Sequence, residues 1–119
     1  MNVAVLGASD RTDRYSNKAV QMLLEYDHTV YPVHPHLKTI AGLPVFSSLT
    51  LIPDPIDTIT VYVSPSISTQ LGGEIAGVAP RRVIFNPGAE NPALAERLRA
   101  AGIEVVEACT LVLLRTGRF

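Results

Sequence analysis

Gly7, Ala8 and Ser9 follow an apolar run, Asn2 to Leu6, and precede a polar loop, Asp10 to Asn17, that leads into a helical pattern. A strand that delivers its chain through a tight turn to a helix N-terminus presents unpaired backbone N–H groups and the positive end of a helix dipole. That combination binds phosphate. The full dinucleotide fingerprint asks for three glycines spaced G-x-G-x-x-G; here Ser9 and Thr12 stand where the second and third belong. The plainer reading of Gly7 is a residue that permits a tight turn. Arg14, with Arg11, follows the turn closely, and a guanidinium suits bidentate phosphate contact.

The end of the second apolar run reads Val33-His34-Pro35-His36-Leu37-Lys38. A domain built for NAD places a carboxylate there to hold the ribose diol. This chain has two imidazoles and an ammonium instead, which suit a ribose that carries a phosphate, as in NADP or coenzyme A. His34 and His36 are otherwise ordinary loop residues. Glu90 and Glu107 are candidate acids without a second carboxylate to form an acid–base pair. The histidines and Cys109 lack metal-site spacing. Cys109 precedes an expected terminal helix, whose N-terminus would lower a thiol pKa; a small buried filler is the reading favoured for it.

The elements that position these residues alternate. Strands are expected at Asn2 to Leu6, Thr29 to Val33, Thr58 to Val63, Arg82 to Phe85 and Ile103 to Val106. Pro32 marks the second as an edge or an irregularity. The first helix spans about Ser16 to Tyr26, with Ala19, Val20, Leu23 and Leu24 inward. A second runs from about Ser66 to Ala76, capped by Ser64 or Ser66 and weakened by Gly72 and Gly73. A third starts after Asn91-Pro92 and ends at Ala101-Gly102. Leu43 to Phe46 reads as a short strand-like piece, Ser48 to Ile52 as a helical turn, and Thr110 to Leu114 as a last short helix. The expected fold is α/β: a single Rossmann-like, doubly wound parallel five-stranded sheet of order 3-2-1-4-5, with its ligand crevice at the carboxyl ends of the strands near strand one.

A length of 119 residues fits one domain, 1–119, and 47% hydrophobic with 18% charged residues is globular composition. A net charge of −1 argues against a nucleic-acid partner. No apolar run reaches the roughly 18 residues of a membrane span, and the first strand starts without the positive flank of a secretory signal. A single cysteine forms no internal disulfide, so a cytoplasmic location is expected.

Taken together, the motifs resemble the small CoA-binding proteins, which look like the nucleotide-binding domain of the succinyl-CoA synthetase alpha subunit. The resemblance covers essentially the whole chain. It rests on Gly7-Ala8-Ser9, Arg14-Tyr15-Ser16, Val30-Tyr31-Pro32-Val33-His34-Pro35, Gly42-Leu43-Pro44-Val45-Phe46, Val61-Tyr62-Val63-Ser64-Pro65, Phe85-Asn86-Pro87-Gly88-Ala89-Glu90-Asn91 and Glu107-Ala108-Cys109-Thr110. It implies that Gly7, Ala8 and Ser9 cradle the CoA diphosphate with support from Arg14 and Ser16. Val33, His34 and Pro35 would border the adenosine, with Lys38 near the 3′-phosphate. Ser64 and Pro65 would line the crevice where the pantetheine leaves. Family members often carry Asn where this chain has His34, and imidazole can also donate a hydrogen bond. The implied ligand is CoA or an acyl-CoA, bound without catalysis by this chain alone; partners beyond it are further copies of the chain or a separate enzyme. The alternatives are an NADP-type oxidoreductase and a thiol-redox partner of CoA acting through Cys109.

Overall fold

The computed structural model describes residues 1–119. Strand β1 (Asn2–Leu6) carries Val3, Ala4 and Val5, none of which retains any accessible surface. A strand apolar on both faces belongs inside a sheet covered from both sides. Its parallel neighbours are β2 (Thr29–Val33) and β5 (Thr58–Val61), and the sheet continues with β6 (Arg82–Phe85) and β7 (Glu104–Glu107). Between β2 and β5 lie a hairpin, β3 (Thr39–Ile40) and β4 (Leu43–Pro44), and a 3-10 turn at Leu49–Leu51. The hairpin closes through Ala41 and Gly42 at φ 52° and 78°; two central residues of positive φ match the right-handed twist of the strands they join.

Helices cover both faces. Helix α1 (Tyr15–Glu25) and the terminal α5 (Thr110–Arg115) lie on one, where Val3, Val5, Val20, Leu23 and Leu114 form a core. The other holds the 3-10 turn, α3 (Gly72–Val78) and α4 (Pro92–Ala100), around a larger core that includes Phe85, Ile75, Ile59 and Leu98. The five-stranded parallel sheet and its double winding are as the sequence predicts. No helix is long and apolar enough to cross a membrane.

The strand order differs from the expected 3-2-1-4-5. The sheet runs β2-β1-β5-β6-β7, which in chain order of its five strands is 2-1-3-4-5. Pro32 fits the edge position of β2. Its carbonyl accepts the amide of Phe46 at 3.0 Å, on the side away from β1. The missing N–H of Pro32 falls on that same outer side, where it costs β1 no ladder bond. That outer side takes only the short segment at Phe46, which bridges Val33 in parallel, and the third strand pairs with the free edge of β1.

The single helix expected from Ser66 to Ala76 is two: α2 (Pro65–Gln70) and α3, joined at Leu71. A Cβ on Gly72 would sit 3.0 Å from Leu94 Cδ1 and 3.2 Å from Arg97 Nη1, so Gly72 is where α3 packs most closely on α4. Ser64 occupies the N-cap of α2, yet its hydroxyl meets Ser66 Oγ at 3.1 Å and caps no amide; Pro65 at the first helical position already removes one orphan donor. Asn91 caps α4 as predicted, accepting from Leu94 N at 3.1 Å. Its amide donates to Ser68 Oγ at 2.8 Å and Thr69 Oγ1 at 3.0 Å, fixing α2 against α4.

At the amino-terminal end of β5, Asp57 accepts from Arg81 Nε at 3.0 Å and Nη2 at 3.1 Å. These bonds hold the Asp57 carboxyl below its ordinary range, against a smaller opposing effect of burial. A carboxylate whose folded-state pKa is depressed adds stability above its unfolded pKa and loses it as pH falls through the folded value. Arg81 is half exposed, so the contribution is about 0.5 kcal/mol. The urea midpoint of the wild type should exceed that of Asp57→Asn at neutral pH, with the gap closing below about pH 4. A gap that persists in acid would remove the ion pair from the account.

Candidate functional site

The winding reverses between β1 and β5, and ligands of open α/β sheets bind outside the strand carboxyl ends at such a point. Gly7 leaves β1 there at φ 88°. A Cβ on it would lie 2.8 Å from Val63 Cγ1 and 3.1 Å from Val63 N, so only glycine lets the two strand ends approach. The amides of Gly7 and Ala8 both donate to the Val33 carbonyl, each at 3.1 Å. They lace the turn to β2 and are already partnered. Ser9 Oγ accepts the Arg11 amide at 3.1 Å, and the Ser9 carbonyl accepts Asn17 Nδ2 at 2.9 Å. The loop is thereby clasped onto α1.

Helix α1 starts without a side-chain cap, and Arg14 is its N-cap residue. The amides of Tyr15, Ser16 and Asn17 find no acceptor in the protein. They sit beside an open polar cavity of about 540 Å³ lined by Gly7, Ala8, Ser9, Asp13, Arg14, Tyr15, Ser16, His34, Tyr62 and Pro87. Arg11 pairs with Asp13 at 3.3 Å, while Arg14 has no carboxylate partner. The cavity is therefore ringed by donors that the fold leaves unused.

A second cavity of about 340 Å³ shares Gly7 and His34 with the first. Its lining includes Leu6, Val33, Pro35, Val63, Ile67 and Leu71, with Ser47, Ser48 and Glu74 as its polar members. His34 stands between the two. Its Nδ1 accepts from the amides of His36 at 3.0 Å and Leu37 at 3.1 Å. Both bonds use the Nδ1 lone pair, so in the neutral ring the proton sits on Nε2. The imidazole thus organises its own loop as an asparagine side chain does in an Asx-turn.

Residues 1–115 match the sequence profile of the CoA binding domain. The chain belongs to that family. Over 61 residues, 51% of its length, it is 34% identical to acetate–CoA ligase [ADP-forming] I of Archaeoglobus fulgidus, of which the match covers 9%. Over 60 residues, 50% of its length, it is 35% identical to the uncharacterized protein YneT of Bacillus subtilis, of which the match covers 44%. The matches thus span less than half the length of these curated relatives. A crystal structure of an uncharacterized protein superposes with a TM-score of 0.94 at 36% identity, covering 99% of this chain and 97% of that one.

In this CoA-binding domain the structure gathers most of the residues singled out from sequence. Gly7, Ala8, Ser9, Arg14, Ser16 and His34 line the polar cavity, and Val33 and Pro35 line the apolar one with Gly7 and His34. Three stand apart. Ser64 and Pro65 open α2 without lining either cavity, and Lys38 is exposed next to β3. Cys109 is half-buried at the N-cap of α5 and lines neither cavity. Glu90, one of the candidate acids, accepts the Gly88 amide at 2.7 Å and steadies a turn.

Sequence reasoning missed Tyr62 and Glu74. The Tyr62 hydroxyl is buried with no hydrogen-bond partner. The nearby hydroxyls of Thr60 and Thr110 are bonded to each other at 2.7 Å, and burial pushes the phenol pKa well up. The Tyr62 side chain forms part of the wall of the polar cavity. Glu74 had a faint signal, as the only charged residue in the helix Gly72–Val78.

Proposed function

We propose that this domain binds coenzyme A or an acyl-CoA as a binding module, without ligase activity of its own. The observation that carries the reading is the uncapped first turn of α1, set where a polar cavity meets an apolar one. The diphosphate lies against the free amides of Tyr15, Ser16 and Asn17, with the Ser16 hydroxyl and Arg14 beside it. Gly7 and Ala8 shape this cradle; their own amides stay on Val33. The adenine enters the apolar cavity between Val33 and Pro35 on one side and Val63, Ile67 and Leu71 on the other. Pantetheine runs the opposite way, past Pro87 and the Tyr62 hydroxyl. His34 Nε2–H faces the ribose phosphate, and Lys38, exposed on the same loop, supplies a cation on that side. Membership of the CoA binding domain family supports the choice of ligand. The lining supports binding rather than turnover: beside amides, hydroxyls, one imidazole and apolar walls it holds Asp13, Arg14 and Glu74, with no nucleophile set against a base.

A thermal-shift comparison of CoA, dephospho-CoA, NADP and NAD on ligand-stripped protein tests this. CoA at a hundredfold excess over its dissociation constant should add about 2.7 kcal/mol. Dephospho-CoA should shift the melt less, and the nicotinamide nucleotides least. A larger shift with NADP would move the domain to the oxidoreductase alternative. Silence from all four would leave α1 an ordinary frayed helix end.

A further inference from the structure

We propose that Glu74 reads the base, selecting adenine by accepting its exocyclic amine. The inference rests on the CoA-binding reading above and deepens it. The Glu74 carboxylate holds the 3-10 turn through one oxygen alone. Oε1 accepts from Ser48 Oγ at 2.6 Å and from the Leu49 amide at 2.7 Å. Those two bonds anchor Oε1 at the turn. Oε2 makes no bond within the protein and belongs to a residue that lines the apolar cavity.

The cavity that Glu74 helps to line is otherwise walled largely by Leu6, Val33, Val63, Ile67 and Leu71. Such walls take a flat apolar group, and the carboxylate decides which edge that group presents. An ionised carboxylate only accepts hydrogen bonds. The exocyclic amine of adenine donates. The carbonyl at the same place on hypoxanthine turns lone pairs toward the carboxylate and leaves it uncompensated. The same negative charge repels phosphate from this end of the site, so it also fixes the ligand's polarity, with base toward Glu74 and diphosphate toward α1. A neutral cap of the 3-10 turn would do for structure alone; a charge with one oxygen held and one free suits recognition.

The substitution that separates the two roles is Glu74→Gln. Its carbonyl oxygen keeps the bonds from Ser48 and Leu49, and its amide turns a donor toward the base. The experiment measures binding of CoA and of its deaminated, hypoxanthine-bearing counterpart to wild type and to Glu74→Gln by calorimetry. Ligand-free melting curves check that both proteins are folded. A lost hydrogen bond to a charged group is worth about tenfold or more in affinity. The wild type should prefer CoA by at least about that factor, and Glu74→Gln should lose or reverse the preference. Equal affinity of the wild type for both ligands overturns the inference while leaving the CoA-binding reading intact. An unchanged preference in Glu74→Gln overturns it as well. If Glu74→Gln does not fold, the wild-type comparison decides alone. Failure of the wild type to bind CoA at all overturns the binding reading and this inference with it.

Discussion

Gly7→Val should lower the melting temperature by about 10–20 °C and abolish CoA binding at temperatures where the protein is still folded. Two costs add. A β-branched residue at φ 88° is a strained backbone, worth about 1–3 kcal/mol. The new Cβ meets Val63 Cγ1 at 2.8 Å and the Val63 amide at 3.1 Å, and forcing carbon into a packed site costs about 1–3 kcal/mol more. The relief available is a shift of β5's carboxyl end away from β1. That shift opens the joint at which both cavities meet, so binding falls with stability. Gly73→Ala is the internal control. Nothing lies within 4 Å of its added Cβ, and a helical alanine costs nothing in entropy. A Gly7→Val protein that melts within about 3 °C of the wild type would show that the strand ends are not held together at this contact.

The parts of the fold legible in the sequence were those governed by near neighbours in the chain. Asn2 to Leu6, Thr29 to Val33 and Arg82 to Phe85 are strands with the bounds their apolar runs suggest. Asn91-Pro92 starts a helix because cap and proline act within one turn. Strand order is set by a comparison of edges: Pro32 hints at an edge strand, but which segment lies beyond β2 and which pairs with β1 is decided by contacts across the fold. The break between α2 and α3 was half visible in Gly72 and Gly73. The close packing of Gly72 on Leu94 and Arg97 beside the break joins residues more than twenty apart.

The site divides the same way. Cavity-lining residues within one loop of Gly7 and of His34 could be picked out in the sequence, because turn chemistry and side-chain type mark them locally. Glu74 and Tyr62 were not, because each acquires its meaning from a partner, or the lack of one, across the fold. Ser48 and Leu49 give Glu74 its anchored Oε1. Tyr62 comes to lie against Thr60 of β5 and Thr110 of α5 only through the fold. The two amides of the Gly-Ala turn show the converse. Sequence marks them as phosphate donors, and the fold uses them on Val33.

Asn86→Ala should cost about 3 kcal/mol, as much as many core truncations. Asn86 is 2% exposed and joins three elements through one side chain. Its amide donates to Thr60 Oγ1 at 2.7 Å and to the Val61 carbonyl at 2.9 Å, and its oxygen accepts the Thr110 amide at 2.9 Å. Alanine leaves the Thr110 amide buried without an acceptor at the start of α5, at about 1–3 kcal/mol for that group alone. Asn86→Asp separates hydrogen bonding from shape. It keeps the oxygen for Thr110 but faces the Val61 carbonyl with a second oxygen, so its carboxyl is buried against an acceptor and its pKa must rise. A group whose ionised form is penalised only in the folded state loses stability as pH rises through the unfolded carboxylate range, and regains it as pH falls. Urea unfolding at about pH 7 and about pH 4.5 should therefore find Asn86→Asp recovering relative to Asn86→Ala in acid. Parallel behaviour of the two variants across that range would mean that Thr60 and Val61 are held by packing, and that the amide bonds of Asn86 contribute little.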